Sequence, residues 1–282
     1  MKEWIILWQH LPQSINPVIF AIGSFRIHYY GLMYLIAFAA TYALVSYRIR
    51  YEHSFSASKE QIKDLMVYML VGLLIGARLG YVIFYNPGYY AKHPFEILLP
   101  FQFENGITFT GFSGMSFHGG LIGVILSSWW YSKKAGLDVF KMADLFCPVV
   151  PLGYTFGRLG NFINGELFGR ITTHPIGMYF PLAPGDGRRH PSQLYEAFFE
   201  GIFVFIVLWN VRRRNQPTGA MLAFYLAGYG IVRFIIEYFR EPDAHIGLLW
   251  ISFSMGQILC AVMTASGLGL YLYLRFVNRR IV

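Results

Sequence analysis

Arginine, asparagine and glutamate are concentrated in one short segment of an otherwise apolar chain. The segment GRLGNFINGELFGR covers Gly157–Arg170, while 55% of all residues are hydrophobic. A guanidinium can donate two parallel hydrogen bonds to an oxyanion such as phosphate, and asparagine amides supply further donors. Arg158, Asn161 and Asn164 are therefore candidates for binding a phosphate-like anion, with Glu166 beside them.

A second polar pattern lies in the segment GYGIVRFIIEYFREPD. Tyr229, Arg233 and Glu237 recur every four residues, and Arg240 follows three residues later. Side chains at this spacing share one face of a helix. Two interpretations remain open: Arg233 and Glu237 form an internal ion pair, or Glu237 holds Arg233 toward an anionic ligand.

Other polar side chains interrupt apolar stretches, where an ionisable group is costly and usually faces a cavity or a partner. His118 lies in SGMSFHGG, and the two glycines after it leave it little covered. It is either a packed interfacial residue or a group that contacts substrate and accepts a proton, since imidazole titrates near neutrality. The remaining candidates are His28, Tyr30, Arg78, Glu196 and Glu200.

The composition is that of a helical membrane protein. Mean hydropathy is +0.44, and 13% of the 282 residues are charged, against about 25% in soluble domains. The alternating segments of a membrane β-barrel are missing from the sequence. No cleaved signal peptide is expected, because no small-residue cleavage site follows a long apolar core at the start. The basic run at residues 212–214 indicates a cytoplasmic anchor and not a nucleic-acid site.

Seven stretches have the length and apolarity of transmembrane helices, which need about 20 residues each. The chain is therefore predicted to be a single all-α integral membrane domain over residues 1–282. The fourth stretch contains Pro148 and Pro151 and is expected to be kinked. The predicted spans are 28–47, 65–85, 114–131, 142–158, 194–211, 220–239 and 251–274.

The distribution of Lys and Arg predicts the orientation. These residues favour the alternate segments 48–64, 132–141, 212–219 and 275–282. Positive charge marks cytoplasmic segments, so the C-terminus is expected in the cytoplasm and the N-terminus outside. The loops 86–113 and 159–193 then form a small outward-facing head. The polar side chains inside the spans fall in their outer halves, on six of the seven spans.

The two cysteines, Cys147 and Cys260, lie far apart in apolar stretches. Free cysteine is among the most buried residue types, and burial makes a thiol inert. Both are therefore expected to be packing residues. No motif with metal-ligand spacing occurs in the sequence, and no metal site is predicted.

Five ordered motifs resemble those of the prolipoprotein diacylglyceryl transferase family. They are HYYGLMYL, GMSFHGG, GRLGNFINGELFGR, RHPSQLYE and GYGIVRFIIEYFREPD. The resemblance implies seven transmembrane helices with an outward head in the bacterial cytoplasmic (inner) membrane. It also implies transfer of a diacylglyceryl group from phosphatidylglycerol to the lipobox cysteine thiol of a prolipoprotein signal peptide. A thioether and glycerol phosphate are the implied products, and no metal or organic cofactor is expected.

The resemblance further implies roles for single residues. Arg158 and Arg233 match the family's essential arginines, and His118 falls on a position that the family uses. Either His118 accepts the thiol proton, or the field of the arginines lowers the pKa of the thiol without a base; both alternatives remain open. Substrate-binding roles are expected, from the resemblance or from residue type, for Tyr30, His28, Arg78, Asn161, Asn164, Glu166, Gly169, Glu196, Tyr229, Glu237 and Arg240.

Two other classes of membrane protein also carry buried charges. A secondary transporter of an anionic or lipid substrate tends to place its site near the bilayer midplane, between internal repeats. Here the charges lie outward and the sequence shows no repeat. A structural scaffold needs no aligned polar groups on six spans. The expected partners are phosphatidylglycerol, prolipoprotein signal peptides with a lipobox cysteine, and membrane lipids, with no nucleic acid.

Overall fold

The structure is a computed structural model that describes residues 2–22, 25–52, 54–97, 101–102, 108–109, 114–241, 248–249 and 253–281. Parts of the predicted head loop 86–113 and of the predicted span 251–274 therefore lie outside the described residues.

The described residues are mostly helical. The helices are α1 (Lys2–Ser14), α2 (Tyr29–Tyr51), α3 (Lys59–Tyr85), α4 (Pro87–Lys92), a 3₁₀ turn (Pro94–Ile97), α5 (Phe117–Lys134), α6 (Val139–Phe146), α7 (Val150–Asn164), α8 (Ser192–Tyr195), a π-helix (Glu196–Phe203), α9 (Val204–Val211), α10 (Ala220–Ile236) and α11 (Met255–Ile281).

Short strands in the described ranges form antiparallel pairs. They are β1 (Val18–Ile22) with β2 (Phe25–His28), β3 (Phe101–Gln102) with β4 (Thr108–Phe109), and β5 (Leu248–Leu249) with β6 (Phe253–Ser254).

Within the described residues, four helices are long and apolar enough to cross a membrane: α2, α3, the continuous helix Ser192–Val211, and α11 over Met255–Arg279. The helices α6 and α7 add a fifth candidate, because they form one apolar stretch bent by 51°. The bend lies at Pro148 and Pro151 and confirms the predicted kink. The helix α10 is apolar but shorter, with 17 residues. The helix α5 has 18 residues and is not among these candidates. A mostly helical membrane protein is thus confirmed, while seven spans remain a prediction.

The contacts divide the chain into two compact units. The prediction of a single domain over residues 1–282 stays a prediction. In the unit Glu52–Met142, α3 begins at a capping box formed by Ser58 and Gln61. It packs along α5, where a Cβ on Gly76 would overlap the carbonyl oxygen of Gly119. Close helix approach therefore explains these glycines, as at other small-residue membrane interfaces.

The other unit comprises Met1–Tyr51 and Ala143–Val282. Here α2 packs on α7, α7 on the π-helix, and α10 on α11. The start of α10 is capped by Asp144, which is far away in the sequence. Its carboxylate accepts hydrogen bonds from the backbone N–H of Gly219 at 2.6 Å and of Met221 at 2.8 Å. A side chain that satisfies these unpaired N–H groups stabilises a helix start, and so fixes the helix that carries Arg233.

The end of α7 differs from the predicted boundary at residue 158. The helix continues to Asn164 and stops at Gly165, whose φ of +70° is the left-handed conformation that commonly ends a helix. Asn161, which was expected in the loop 159–193, therefore lies on regular helix, as Arg158 does. Cys147 and Cys260 are both buried and unpaired, which confirms that they are packing residues.

Candidate active site

A chain of hydrogen bonds runs along the end of α7. Arg158 Nη1 donates to Asn161 Oδ1 at 3.2 Å, because residues three apart share a helix face. Asn161 Nδ2 in turn donates to Glu166 Oε1 at 2.8 Å, and Asn164 Nδ2 donates to the same oxygen at 3.3 Å. The two asparagine amides expected to donate to a ligand thus hold Glu166 here, and Asn161 orients Arg158.

The turn that follows Glu166 is held by the motif RHPSQLYE. Gln193 Nε2 donates to the carbonyl oxygen of Glu166 at 2.6 Å. Ser192 Oγ donates to that of Leu167 at 3.0 Å, and both donors are completely buried. Leu167 has a φ of +58°, a left-handed conformation that costs a non-glycine residue roughly 1–2 kcal/mol. These hydrogen bonds therefore maintain a backbone shape that the turn does not favour by itself.

Gly169 joins the signature segment to the end of α10. Its N–H donates to the carbonyl oxygen of His190 at 2.8 Å, and it forms an antiparallel bridge with Arg240. The next N–H, that of Arg170, donates to the carbonyl oxygen of Phe239 at 2.9 Å. A Cβ on Gly169 would overlap that same Phe239 oxygen and lie 2.9 Å from His190 Cβ. Glycine is required here because three backbone segments meet.

Two glutamates on the π-helix are wholly buried. Glu196 and Glu200 have no accessible side-chain surface. A buried carboxylate is costly unless cations or hydrogen-bond donors compensate it. Helical turns with π geometry are often found at functional sites. The neighbours of these two residues therefore decide what the site can do.

Glu196 is the point at which three arginines converge. Its Oε2 lies 2.9 Å from Arg158 Nε and 3.1 Å from Arg233 Nη1. Its Oε1 lies 3.4 Å from Arg240 Nη1. Arg158 comes from α7, Arg233 from α10 and Arg240 from the segment after α10. One buried carboxylate thus brings together two motifs that are distant in the sequence.

Glu200 and Tyr154 complete this network. Glu200 Oε1 lies 3.3 Å from Arg233 Nη1. The Tyr154 hydroxyl donates to Glu200 Oε2 at 2.6 Å and to Glu196 Oε2 at 3.2 Å. The Tyr154 ring centroid also lies 4.7 Å from the guanidinium carbon of Arg158, a cation–π contact. Tyr154 therefore contacts both carboxylates and one of the arginines.

The predicted ion pair on α10 is present. Arg233 Nη2 lies 2.9 Å from Glu237 Oε2, and Ser254 Oγ donates to Glu237 Oε1 at 3.1 Å. However, Arg233 also meets Glu196 and Glu200. The pair is therefore one edge of a larger cluster, and the two interpretations left open by the sequence are compatible with each other.

The cluster contains three arginines and three glutamates, and the arginine side chains are more exposed than the glutamate side chains. The three arginines keep part of their side-chain surface accessible: Arg158 17%, Arg233 13% and Arg240 19%. The three carboxylates are almost completely covered: Glu196 0%, Glu200 0% and Glu237 8%. The surface that a ligand meets is therefore cationic, and the carboxylates behind it orient the guanidinium groups. This arrangement suits an anion such as phosphate.

The aromatic candidates of this unit lie close to the same helices. Tyr30 packs on α7, since a Cβ on Gly160 would lie 2.9 Å from Tyr30 Cδ2. His28 is the last residue of β2, two residues before Tyr30. Tyr229 packs edge-on against Tyr154, with ring centroids 5.8 Å apart. Their predicted contacts with substrate stay predictions.

His118 and Arg78 belong to the unit Glu52–Met142. His118 lies in the first turn of α5 and is exposed within that unit. Arg78 donates to the carbonyl oxygens of Glu96 at 2.6 Å, Ile97 at 2.8 Å and Gly114 at 3.3 Å. These bonds hold backbone on both sides of residues 98–113. The substrate-binding role expected for Arg78 stays a prediction.

Comparisons with known proteins decide the family. A sequence model of the prolipoprotein diacylglyceryl transferase family matches residues 17–273. A protein of Chlorobaculum tepidum named phosphatidylglycerol–prolipoprotein diacylglyceryl transferase is 51% identical over 97% of this chain and 94% of its own length. The chain belongs to the prolipoprotein diacylglyceryl transferase family. Proteins of the same name from Bordetella parapertussis and Ectopseudomonas mendocina are 47% and 44% identical, over 92% of this chain and 95% and 94% of their own lengths.

Family membership confirms the resemblance drawn from the five motifs. It identifies the chain as a transferase, so the transporter alternative is not favoured. The family assignment and the apolar helices together indicate a multi-pass membrane protein.

Two residues of the cluster, Tyr154 and Glu200, are absent from the site residues that the sequence predicts. Each lies four residues from a selected neighbour, Tyr154 before Arg158 and Glu200 after Glu196. Because side chains four apart share a helix face, this spacing was a usable signal. No comparable local signal exists for Gln193, whose partner is a backbone carbonyl far away in sequence.

Proposed function

We propose that this protein transfers the diacylglyceryl group of phosphatidylglycerol to the lipobox cysteine thiol of a prolipoprotein signal peptide. The products are a thioether-linked lipoprotein precursor and glycerol phosphate, in the first step of bacterial lipoprotein maturation. The names of the relatives support this donor and this acceptor. The observation that carries the proposal is the convergence of Arg158, Arg233 and Arg240 on the buried Glu196, with most of the accessible surface on the arginines.

The phosphate of the donor lipid binds to the accessible face of the arginine cluster. Guanidinium groups keep their charge at every relevant pH and present planar, paired donors to phosphate oxygens. Glu196, Glu200 and Glu237 act behind them as positioning residues. Asn161 and Glu166 hold Arg158 from the side.

The reaction exchanges a carbon–oxygen bond for a carbon–sulfur bond. The client's thiolate attacks the glycerol carbon that bears the phosphate, and the S–C bond forms as the C–O bond breaks. The electron pair of the broken bond leaves on the oxygen of glycerol phosphate. Negative charge thus grows on the leaving group in the transition state, where fixed cations stabilise it most. Arg158 and Arg233 are the proposed catalytic arginines.

The client's thiol must lose its proton before it attacks, since the thiolate is the nucleophile. His118 is the candidate base, supported by its exposure at the start of α5 and by the titration range of imidazole. The alternative is that the arginine field lowers the pKa of the thiol sufficiently without a base.

The proposed setting is the bacterial cytoplasmic (inner) membrane. Seven spans place the N-terminus outside and the C-terminus in the cytoplasm, and the active site faces the outer leaflet with the head formed by loops 86–113 and 159–193. The distribution of Lys and Arg supports this orientation. The apolar helix α10, together with the five candidate spans, supports a number above five.

A direct experiment uses purified protein in nanodiscs that contain phosphatidylglycerol, with a synthetic lipobox peptide. We expect mass spectrometry to show the peptide gaining one diacylglyceryl group while an equal amount of glycerol phosphate is released. A matched peptide with serine in place of the cysteine should stay unmodified. An unmodified cysteine peptide, or modification without release of glycerol phosphate, contradicts the proposal.

A further inference from the structure

The N-terminal helix α1 carries an exposed apolar face. Trp4, Leu7 and Leu11 are spaced at i, i+3 and i+7, so they lie on one side of the helix. Their exposed fractions are 77%, 64% and 39%. Polar residues, among them Gln9, His10 and Gln13, occupy other sides of the helix. An exposed apolar face of this kind on a docked helix is typical of a surface that contacts something beyond the described residues.

The same helix is firmly attached to residues 175–179 on another side. Trp8 Nε1 donates to the carbonyl oxygen of Ile176 at 2.9 Å, and Gln9 Nε2 donates to that of Pro175 at 3.1 Å. The ring of His10 stacks on that of Tyr179, with centroids 4.7 Å apart. These contacts attach α1 to residues 175–179 while Trp4, Leu7 and Leu11 stay exposed.

The apolar surface continues toward a candidate membrane span. Between α1 and α2, the hairpin of β1 and β2 exposes Phe20 by 51%, Ile22 by 64% and Ile27 by 43%. The last residue of β2 is followed directly by Tyr29, the first residue of α2. Since α2 is apolar enough to cross a membrane, the exposed surface of α1 and the hairpin leads to the bilayer surface.

We propose that α1 is an interfacial membrane helix, with Trp4, Leu7 and Leu11 inserted at the boundary between lipid headgroups and acyl chains. The partner is the lipid bilayer itself. Tryptophan favours this boundary because its ring is apolar and its N–H is polar, and amphipathic helices lie in the interface plane in this way. The matching family model begins at residue 17, after α1, so this role adds to the chemistry that the family motifs carry.

A backbone connection leads from this helix to the signature segment. The N–H of Tyr179 donates to the carbonyl oxygen of Gln9 at 2.8 Å. Met178 and Arg189 exchange two hydrogen bonds, of 2.9 and 2.8 Å, and residue 190 accepts one from Gly169 at 2.8 Å. Through these contacts α1 sets the depth of the arginine cluster relative to the lipid headgroups.

The test uses an environment-sensitive fluorophore on single introduced cysteines in lipid vesicles. Leu7→Cys places the label on the apolar face. Gln13→Cys is the matched control on the same helix, because Gln13 lines a cavity with Asp186. The unsubstituted protein, whose Cys147 and Cys260 are buried, gives the background. Brominated-chain phospholipids report contact with lipid, and aqueous iodide reports contact with water.

We expect the label at position 7 to be quenched by brominated lipid at least twofold more than the label at position 13, with the opposite order for iodide. Equal iodide quenching at both positions would overturn the proposal, because the apolar face would then lie in water. Protection of position 7 from both quenchers would also overturn it, since protein and not lipid would cover the face. No acceptor peptide is present, so the result is independent of the proposed transfer reaction.

Discussion

Arg158 Nε lies 2.9 Å from Glu196 Oε2, with the arginine side chain 17% exposed and the glutamate side chain completely buried. The carboxylate holds one edge of the guanidinium from behind and leaves other donors of the same group for a ligand. Because Arg233 and Arg240 meet the same carboxylate, the positions of three cations depend on one residue.

The first prediction is that Arg158→Lys loses about a hundredfold or more of transfer activity, the range for removing one transition-state donor. Lysine keeps the charge, but its compact ammonium lacks the planar fork with which Arg158 spans Glu196 and Asn161. The rate of peptide modification measures the effect. Arg188→Lys, at a partly buried residue that donates to the carbonyl oxygen of Thr173, is the control and should keep wild-type activity. Equal rates in the two variants would refute the role of the planar group.

The second prediction compares two glycines of the signature segment. Gly169→Ala should reduce transfer by roughly a hundredfold and lower the unfolding temperature, because its Cβ overlaps the Phe239 carbonyl and a displaced site loses catalysis. Gly157→Ala has no atom within 4 Å of the new Cβ and should fold normally, since alanine is the better helix former by about 1 kcal/mol. The account is wrong if Gly169→Ala behaves like Gly157→Ala.

The third prediction concerns Tyr154, which binds both buried carboxylates. Tyr154→Phe keeps the ring beside Arg158 but removes the hydroxyl donated to Glu196 and Glu200. Hydrogen bonds to charged groups contribute about 1.5–3 kcal/mol, so stability should fall by an amount in that range. Thermal unfolding in detergent measures the loss, and transfer assays measure whether the arginines stay in place. An unchanged unfolding temperature would show that the hydroxyl contributes nothing.

The fourth prediction separates a structural pair from a substrate clamp. Arg233→Leu leaves three carboxylates short of a cation and should destabilise the protein by roughly 3–5 kcal/mol and abolish transfer. Glu237→Gln should keep partial activity, because an amide oxygen can lie beside Arg233 and accept the hydrogen bond from Ser254. The double variant Arg233→Leu with Glu237→Leu should stay inactive even where folded protein is recovered. Restored transfer in the double variant would mean that Arg233 has only a structural role.

The fifth prediction tests the base. If His118 accepts the thiol proton, His118→Gln should lose most activity at pH 7 and regain part of it as pH rises toward the ordinary thiol pKa of about 8.5, where the client ionises unaided. A pH–rate profile of the variant measures this. A uniform loss at every pH indicates a positioning role instead, and full activity at pH 7 removes His118 from the mechanism.

The sequence predicted most residues of the cluster, but it predicted few of the contacts between them. The four-residue spacing placed Arg233 and Glu237 on one face, and their contact is present. Sequence spacing does not show that Glu196 meets Arg158, because that contact depends on the packing of α7 against the π-helix. The hydrogen bonds of Arg78 could not be predicted from spacing either, since one accepting carbonyl belongs to Gly114, which is far away in the sequence.

The boundary of α7 shows why hydropathy misplaced a helix end. The apolar stretch stops at Arg158, where polar side chains begin, but the backbone remains helical to Asn164. Polar residues that face a site lower the hydropathy without interrupting helical hydrogen bonds. The actual end is set by Gly165 in the left-handed conformation, and a glycine after Asn164 was the local signal for it.

The central claim is that the arginine cluster binds the phosphate of the donor lipid, and native mass spectrometry of lipid complexes tests it most directly. The protein is mixed with equal amounts of phosphatidylglycerol and of diacylglycerol, which has the same acyl chains and no phosphate. We predict strong preference for phosphatidylglycerol in the wild-type protein and in Gly157→Ala, and loss of that preference in Arg158→Lys. Equal retention of the two lipids by the wild-type protein, or an unchanged preference in Arg158→Lys, would contradict the account.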